Sequence, residues 1–240
     1  MYDQVKPKLP AVWAFSLKKQ IPVLDLNKVN LDMSSKSDAI ITESDIPPLV
    51  WPEFTDIFAR INWWRACALA WSVEWNRLSP ITPVLASEID ALEQRLGCTI
   101  PLLLRTYHEH IGALDLAETL CSVQPAPYAA IEPLIDAYPG ITDLLEDLSD
   151  SDEQRNLVGQ LIAFGDYLGN GNLWCFHRVT GEVWYFDHDC PPMLTQMFSD
   201  VGQYLDLVMF KCLLTVHGEE DNEDMLREKL GDALVEKWMY

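Results

Sequence analysis

The sequence predicts an α+β domain preceded by an N-terminal arm, and three observations carry that reading. Apolar residues recur at three- and four-residue steps from Trp51 to Ile111, short aromatic-rich runs bounded by turn residues occupy 161–187, and helical spacing returns from Pro192 to Trp238. A chain of 240 residues is long for one average domain and short for two. The division expected is an arm over residues 1–50 and a single domain over residues 51–240.

The arm reading rests on Pro7, Pro10, Pro22, Pro47 and Pro48 and on the polar run Met33–Asp38. Helical spacing begins after Pro52, a residue suited to a first turn. Phe54, Ile57, Phe58, Ile61, Trp64 and Ala68 follow in register, and no Gly or Pro interrupts them before Pro80. Trp63, Trp64, Trp71 and Trp75 spread too widely around such a helix to share one face. Some of them must meet the arm, another element or a partner.

Ser87 with Asp90 is similar to a capping box for a second helix, with Ile89, Leu92 and Leu96 as its stripe and Gly97 as its stop. Pro101 opens a third, which sets Leu104, Tyr107 and Ile111 on one face and ends at Gly112. Residues 114–158 are less regular, with prolines at 125, 127, 133 and 139 and the acidic stretch 142–153.

Leu161–Phe164, Asn172–His177 and Glu182–Asp187 read as three sequential strands, with a turn at 165–172 and a hairpin turn at Thr180-Gly181. Alternation sends Trp174 and Phe176 one way and Leu173, Cys175 and His177 the other. Both faces are largely apolar, so both should be covered. From Pro192 a long helix is expected, carrying Phe198, Val201, Leu205, Met209, Cys212 and Val216 in register. A last helix runs from Asn222 to near Trp238.

Composition narrows the function classes. Hydrophobic residues make up 49% of the chain, enough for a packed core. No apolar run approaches the ~20 residues needed to span a bilayer. Lys6, Pro7, Lys8 and Pro10 interrupt the first ten residues, so no secretory signal is read there and a cytoplasmic location is expected. The six cysteines include no C-x-x-C pair and sit mostly among apolar neighbours, as buried reduced thiols do.

The net charge is -20, and residues 81–240, with 28 acidic and 8 basic residues, account for all of it. A field of that sign repels nucleic acid and anionic membranes and steers basic partners into contact.

Two blocks resemble the SUKH superfamily, the Smi/Knr-type fold. The first is Ile89–Pro101, continuing through Leu104, Tyr107 and Ile111-Gly112. It is similar to a family pattern of Leu-Glu, Leu-Gly and Leu-Pro steps and a helix ending in a Gly-rich turn. The second joins Leu161–Asp166, Gly169–Phe176 and Gly181–Asp189, with Phe198 where a helix phenylalanine is expected. Ile111-Gly112-Ala113, Ala163 and Asn172 depart from the more usual Asn-Gly-Gly, Pro and Asp. The resemblance spans about residues 87–210. It implies a mixed, mainly antiparallel sheet packed with several helices, and a role in binding proteins: a bacterial immunity protein that neutralises a toxin or, alternatively, a regulatory scaffold.

Catalytic chemistry finds little support in the residues. Asp187 and Asp189 would share one face of a strand with His188 opposed, and with Asp166 they are the best candidates for a metal-dependent hydrolase. The structural alternative is a strand end whose acids serve solubility or turn hydrogen bonds. His108 and His110 diverge by ~200° on a helix and cannot both ligate one ion. The Gly-rich turn at 165–172 lacks the Lys-Ser/Thr and the following helix of a phosphate loop. No G-x-S-x-G nucleophile motif is present. The expectation is therefore a protein that is not an enzyme and uses no metal or cofactor. Its partner would be a cognate basic toxin domain, met by Asp143, Glu146, Asp147, Asp150, Asp152, Glu153, Asp187 and Asp189, with Tyr138 or an exposed Trp as an apolar anchor.

Overall fold

The computed structural model describes residues 45–240 apart from 76–80, 126–128, 148–150, 168, 221 and 240, so most of the expected arm lies outside the described residues. Helix α1 (Ile57–Glu74) starts where the Asp56 carboxylate accepts the Ala59 N–H at 2.8 Å, a side-chain cap that fixes the first turn five residues beyond Pro52. Helix α2 (Ala86–Leu96) is opened by Glu88 rather than by Ser87 with Asp90. Its carboxylate reaches back to the Leu85 N–H at 3.1 Å, and Gly97 closes the helix at φ 63. Helix α3 (Leu102–His110) is followed by Gly112, also left-handed, where a β-carbon would collide with the Thr82 carbonyl. That close approach accounts for the glycine of the first family-like block.

The irregular region holds β1 (Thr119–Leu120), β2 (Glu132–Pro133), α4 (Leu134–Ala137), α5 (Ile141–Asp147) and α6 (Ser151–Val158). Strands β3 (Leu161–Asp166), β4 (Leu173–His177) and β5 (Val183–Phe186) follow as expected, and the hairpin turns at Thr180-Gly181 with Gly181 at φ 76. The segment after Pro192 departs from the sequence reading. Its first residues form β6 (Leu194–Phe198), and the helix, α7 (Val201–Val216), begins only after Asp200 caps it through the Gln203 N–H. Phe198 therefore ends a strand. Five residues are too few for apolar spacing to separate helix from strand, and pairing with β5 sets the outcome. The expected last helix is broken at Gly231 into α8 (Glu223–Leu230) and α9 (Asp232–Met239).

The sheet order is β1-β3-β4-β5-β6, with β2 also paired to β3, and every named pairing is antiparallel. An isolated parallel bridge joins Ser122 to Ala130. Trp174 lies opposite Tyr185 and Phe176 opposite Val183, and all four are buried in the larger core cluster with Ile162 and Phe164. The intervening Leu161, Ala163, Cys175 and Phe186 belong to a second cluster with Leu134, Ile141 and Val158 of α4–α6. Helices thus cover both faces, as the two-sided apolar pattern requires. Trp64 and Trp71 enter the large core, Trp63 meets Phe54 at 5.6 Å, and Trp75 remains more than half exposed. The cysteines are unpaired; Cys67, Cys121, Cys175 and Cys212 are buried, and Cys190 is exposed.

Candidate protein-binding surface

The turn after β3 and the turn after β5 are far apart in sequence but joined through Asn172. Its amide donates to the Tyr185 hydroxyl at 3.0 Å, and its carbonyl accepts the His188 N–H at 3.1 Å, with His188 Nδ1 2.8 Å away. Asn172 is buried, and burial also pushes the Tyr185 hydroxyl pKa up. The second family-like block is therefore a structural joint between two turns.

Strand β5 ends at Phe186, so Asp187 and Asp189 do not share a strand face. Asp187 is 6% exposed and faces inward. Its Oδ1 accepts the N–H groups of Asp189 (3.0 Å) and Cys190 (3.1 Å), and its Oδ2 pairs with Lys237 of α9 at 2.6 Å. Burial alone would raise its pKa, but the Lys237 ammonium and the two backbone donors hold it below the usual carboxylate range. The exposed acid expected at this position is instead an internal anchor, because both of its oxygens are occupied. Asp189 differs. Its side chain is 74% exposed, and His188 Nε2 lies 3.3 Å from it.

His188 connects that turn to the acidic helices. The Tyr138 ring lies 5.8 Å from the imidazole and 5.0 Å from Phe186, and the Tyr138 carbonyl accepts the Ile141 N–H that opens α5. Asp143 is exposed in the first turn of α5, and Glu146 and Asp147 complete that helix. Asp152 and Glu153 lie in α6, and Asp150 falls outside the described residues. The fold thus brings Asp189, Tyr138 and α5 to one side of the sheet.

Three further polar groups are buried, of which the sequence raised only His108, and that as a ligand ruled out by its spacing from His110. Glu118 is fully buried against Lys211 (3.0 Å) and the Tyr204 hydroxyl (2.9 Å), while the Lys211 ammonium stands 4.0 Å from the Trp238 ring. Asp206 accepts from Arg60 at 3.0 Å and from Trp64 Nε1 at 2.8 Å, and burial raises its pKa to about 6 despite the guanidinium. His108 has neither ring nitrogen hydrogen-bonded, and burial lowers its pKa to about 4, so it is neutral at pH 7. A lone carboxylate within an apolar run was the available signal for Asp206.

Among the described residues no group of three or more His, Cys, Asp and Glu is placed to hold a metal ion, and Asp166 caps the Gly169 N–H at 3.0 Å. Among the same residues no helix is long and apolar enough to cross a membrane.

An antiparallel sheet covered by helices on both faces, with its motif residues spent on joining turns, defines an α+β domain of the kind the two sequence blocks imply. The chain belongs to the SMI1 / KNR4 family (SUKH-1), whose sequence profile matches residues 83–207, just over half of its length. Comparison with curated proteins and with solved structures found no match. The matched span ends inside α7, so α1, α8 and α9 lie outside it.

Proposed function

We propose that this protein is a cytoplasmic immunity protein that neutralises a cognate basic toxin domain by direct, stoichiometric binding, without catalysis, metal or cofactor. The observation that carries this reading is the convergence of Asp189, Tyr138 and the acidic helix α5 on one side of the sheet. Membership of the SMI1 / KNR4 family (SUKH-1) is consistent with it. Carboxylates around a half-buried aromatic suit a basic surface, with charge accelerating encounter and the ring supplying a desolvated anchor. The contact set is Asp143, Glu146, Asp147, Asp150, Asp152, Glu153 and Asp189, with Asp187 acting from beneath by fixing the Asp189 turn.

The test is a kinetic binding titration against the product of the neighbouring gene, run at several ionic strengths. Raising salt from low to physiological should slow association roughly tenfold while dissociation changes little. Reversing Asp143, Glu146, Asp147 and Asp189 to Lys should reproduce that loss. Association indifferent to both treatments would remove acidity from the mechanism. No binding to the neighbouring product at any salt would favour the regulatory-scaffold reading.

A further inference from the structure

The turn between β3 and β4 contains the single Asn-Gly pair of the chain, Asn170-Gly171. The flanks of the turn are fixed: the Asn170 N–H donates to the Tyr167 carbonyl at 3.2 Å, and the Tyr167 N–H donates to the Asn172 carbonyl at 3.1 Å. At its tip the Asn170 side chain is exposed, and its Oδ1 accepts the Asn172 N–H at 2.9 Å. Gly171 sits at φ 93, and a β-carbon there would press on the His188 ring at 3.1 Å, so the position is confined to glycine. The Gly171 N–H has no hydrogen-bond partner among the described residues.

These features favour imide formation: a side-chain amide polarised by a donor, a backbone nitrogen with no partner among the described residues, and no side chain on the following residue to obstruct attack. We propose that Asn170 is a site of spontaneous deamidation. The Gly171 nitrogen attacks Asn170 Cγ; the new N–Cγ bond forms, the Cγ–Nδ2 bond breaks, and ammonia leaves with the proton from Gly171. Water then opens the five-membered imide at either carbonyl, leaving aspartate or isoaspartate at 170. The Asn172 N–H stabilises the oxyanion that develops on Oδ1 during attack. Every other asparagine is followed by a residue bearing a side chain, and Asn62 and Asn156 are also held in helices.

The modification matters because of its neighbour. Each event adds one negative charge, and isoaspartate lengthens the backbone by a methylene two residues before Asn172. The Asn172 side chain holds Tyr185 and His188, so the joint between the two turns should loosen.

The test follows the full chain, a synthetic peptide covering 163–176 and an Asn170→Gln variant in mildly alkaline buffer. Peptide mapping by mass spectrometry and enzymatic methylation of isoaspartyl groups supply the readouts. The expected result is loss of the Asn170 amide ahead of every other asparagine, at a rate in the folded chain equal to or above that in the peptide, with methyl acceptance absent from Asn170→Gln. The His188 ring resonances should shift in step with that loss and stay fixed in the variant. Slower loss in the folded chain than in the peptide, or first loss at another asparagine, would overturn the proposal.

Discussion

The sheet face beneath α1, α3 and α7 buries Trp174, Phe176, Tyr185 and Phe164, whereas the face beneath α4–α6 buries Cys175, Ala163, Leu161 and Phe186. The first side also receives both ends of the described chain: Trp51 packs on Phe210 at 4.9 Å, and Trp238 of α9 lies 6.1 Å from Trp174. The second is closed by short helices, one of four residues, and Asp143 in the first turn of α5 is exposed there. On the function proposed above, the difference separates stability from recognition. Large rings interlocked across many elements hold the domain, and the thinner cover leaves its charged surface open to substitution.

That comparison breaks first at Trp174. Truncation to Ala removes a fully buried ring in contact with Tyr185, Tyr204, Phe198 and Trp238, and should cost about 3–5 kcal/mol in urea unfolding. A loss under about 1 kcal/mol would show that this side is not the stronger one.

A pH effect of similar size is expected on the same side. His108 is held near pKa 4 by burial, against an ordinary value near 6.5. Its stabilising contribution is complete above pH ~6.5 and is lost as pH falls through that value toward 4, up to about 3 kcal/mol. Asp206, raised to about 6, acts in the opposite sense: its contribution is present below its ordinary pKa and is lost as pH rises through 6. His108→Leu should therefore flatten or invert the dependence of unfolding free energy on pH between 4 and 6.5. A slope identical to that of the unmodified protein would mean that His108 titrates normally.

On the thinner side, Leu134→Ala should cost about 2 kcal/mol, the low end for a buried leucine, because the four-residue α4 can settle into the space left. Equal costs for Trp174 and Leu134 would erase the distinction between the faces. The smallest effect is expected outermost. Asp143→Lys and Asp189→Lys should each change stability by less than about 0.5 kcal/mol, while Asp187→Asn should cost more because it weakens the Lys237 pair beneath the same turn. Thermal melting of the three variants side by side distinguishes surface acid from anchor.

The sequence by itself determined the strands 161–187, their hairpin turn and the apolar character of both faces, because period-two alternation and positive-φ glycines are local physics. It also carried the family, through short blocks whose residues have structural roles in the fold: Gly112 passes close to Thr82, and Asn172 meets His188. Tertiary structure decided the rest. Leu194–Phe198 reads as the start of a helix, and pairing with the neighbouring edge of β5 makes it a strand. Asp187 and Asp189 are identical in kind and two residues apart, yet one is buried and paired and the other open to solvent. Lys237, fifty residues downstream, makes that choice, because only a folded chain can set an ammonium group beside a particular carboxylate.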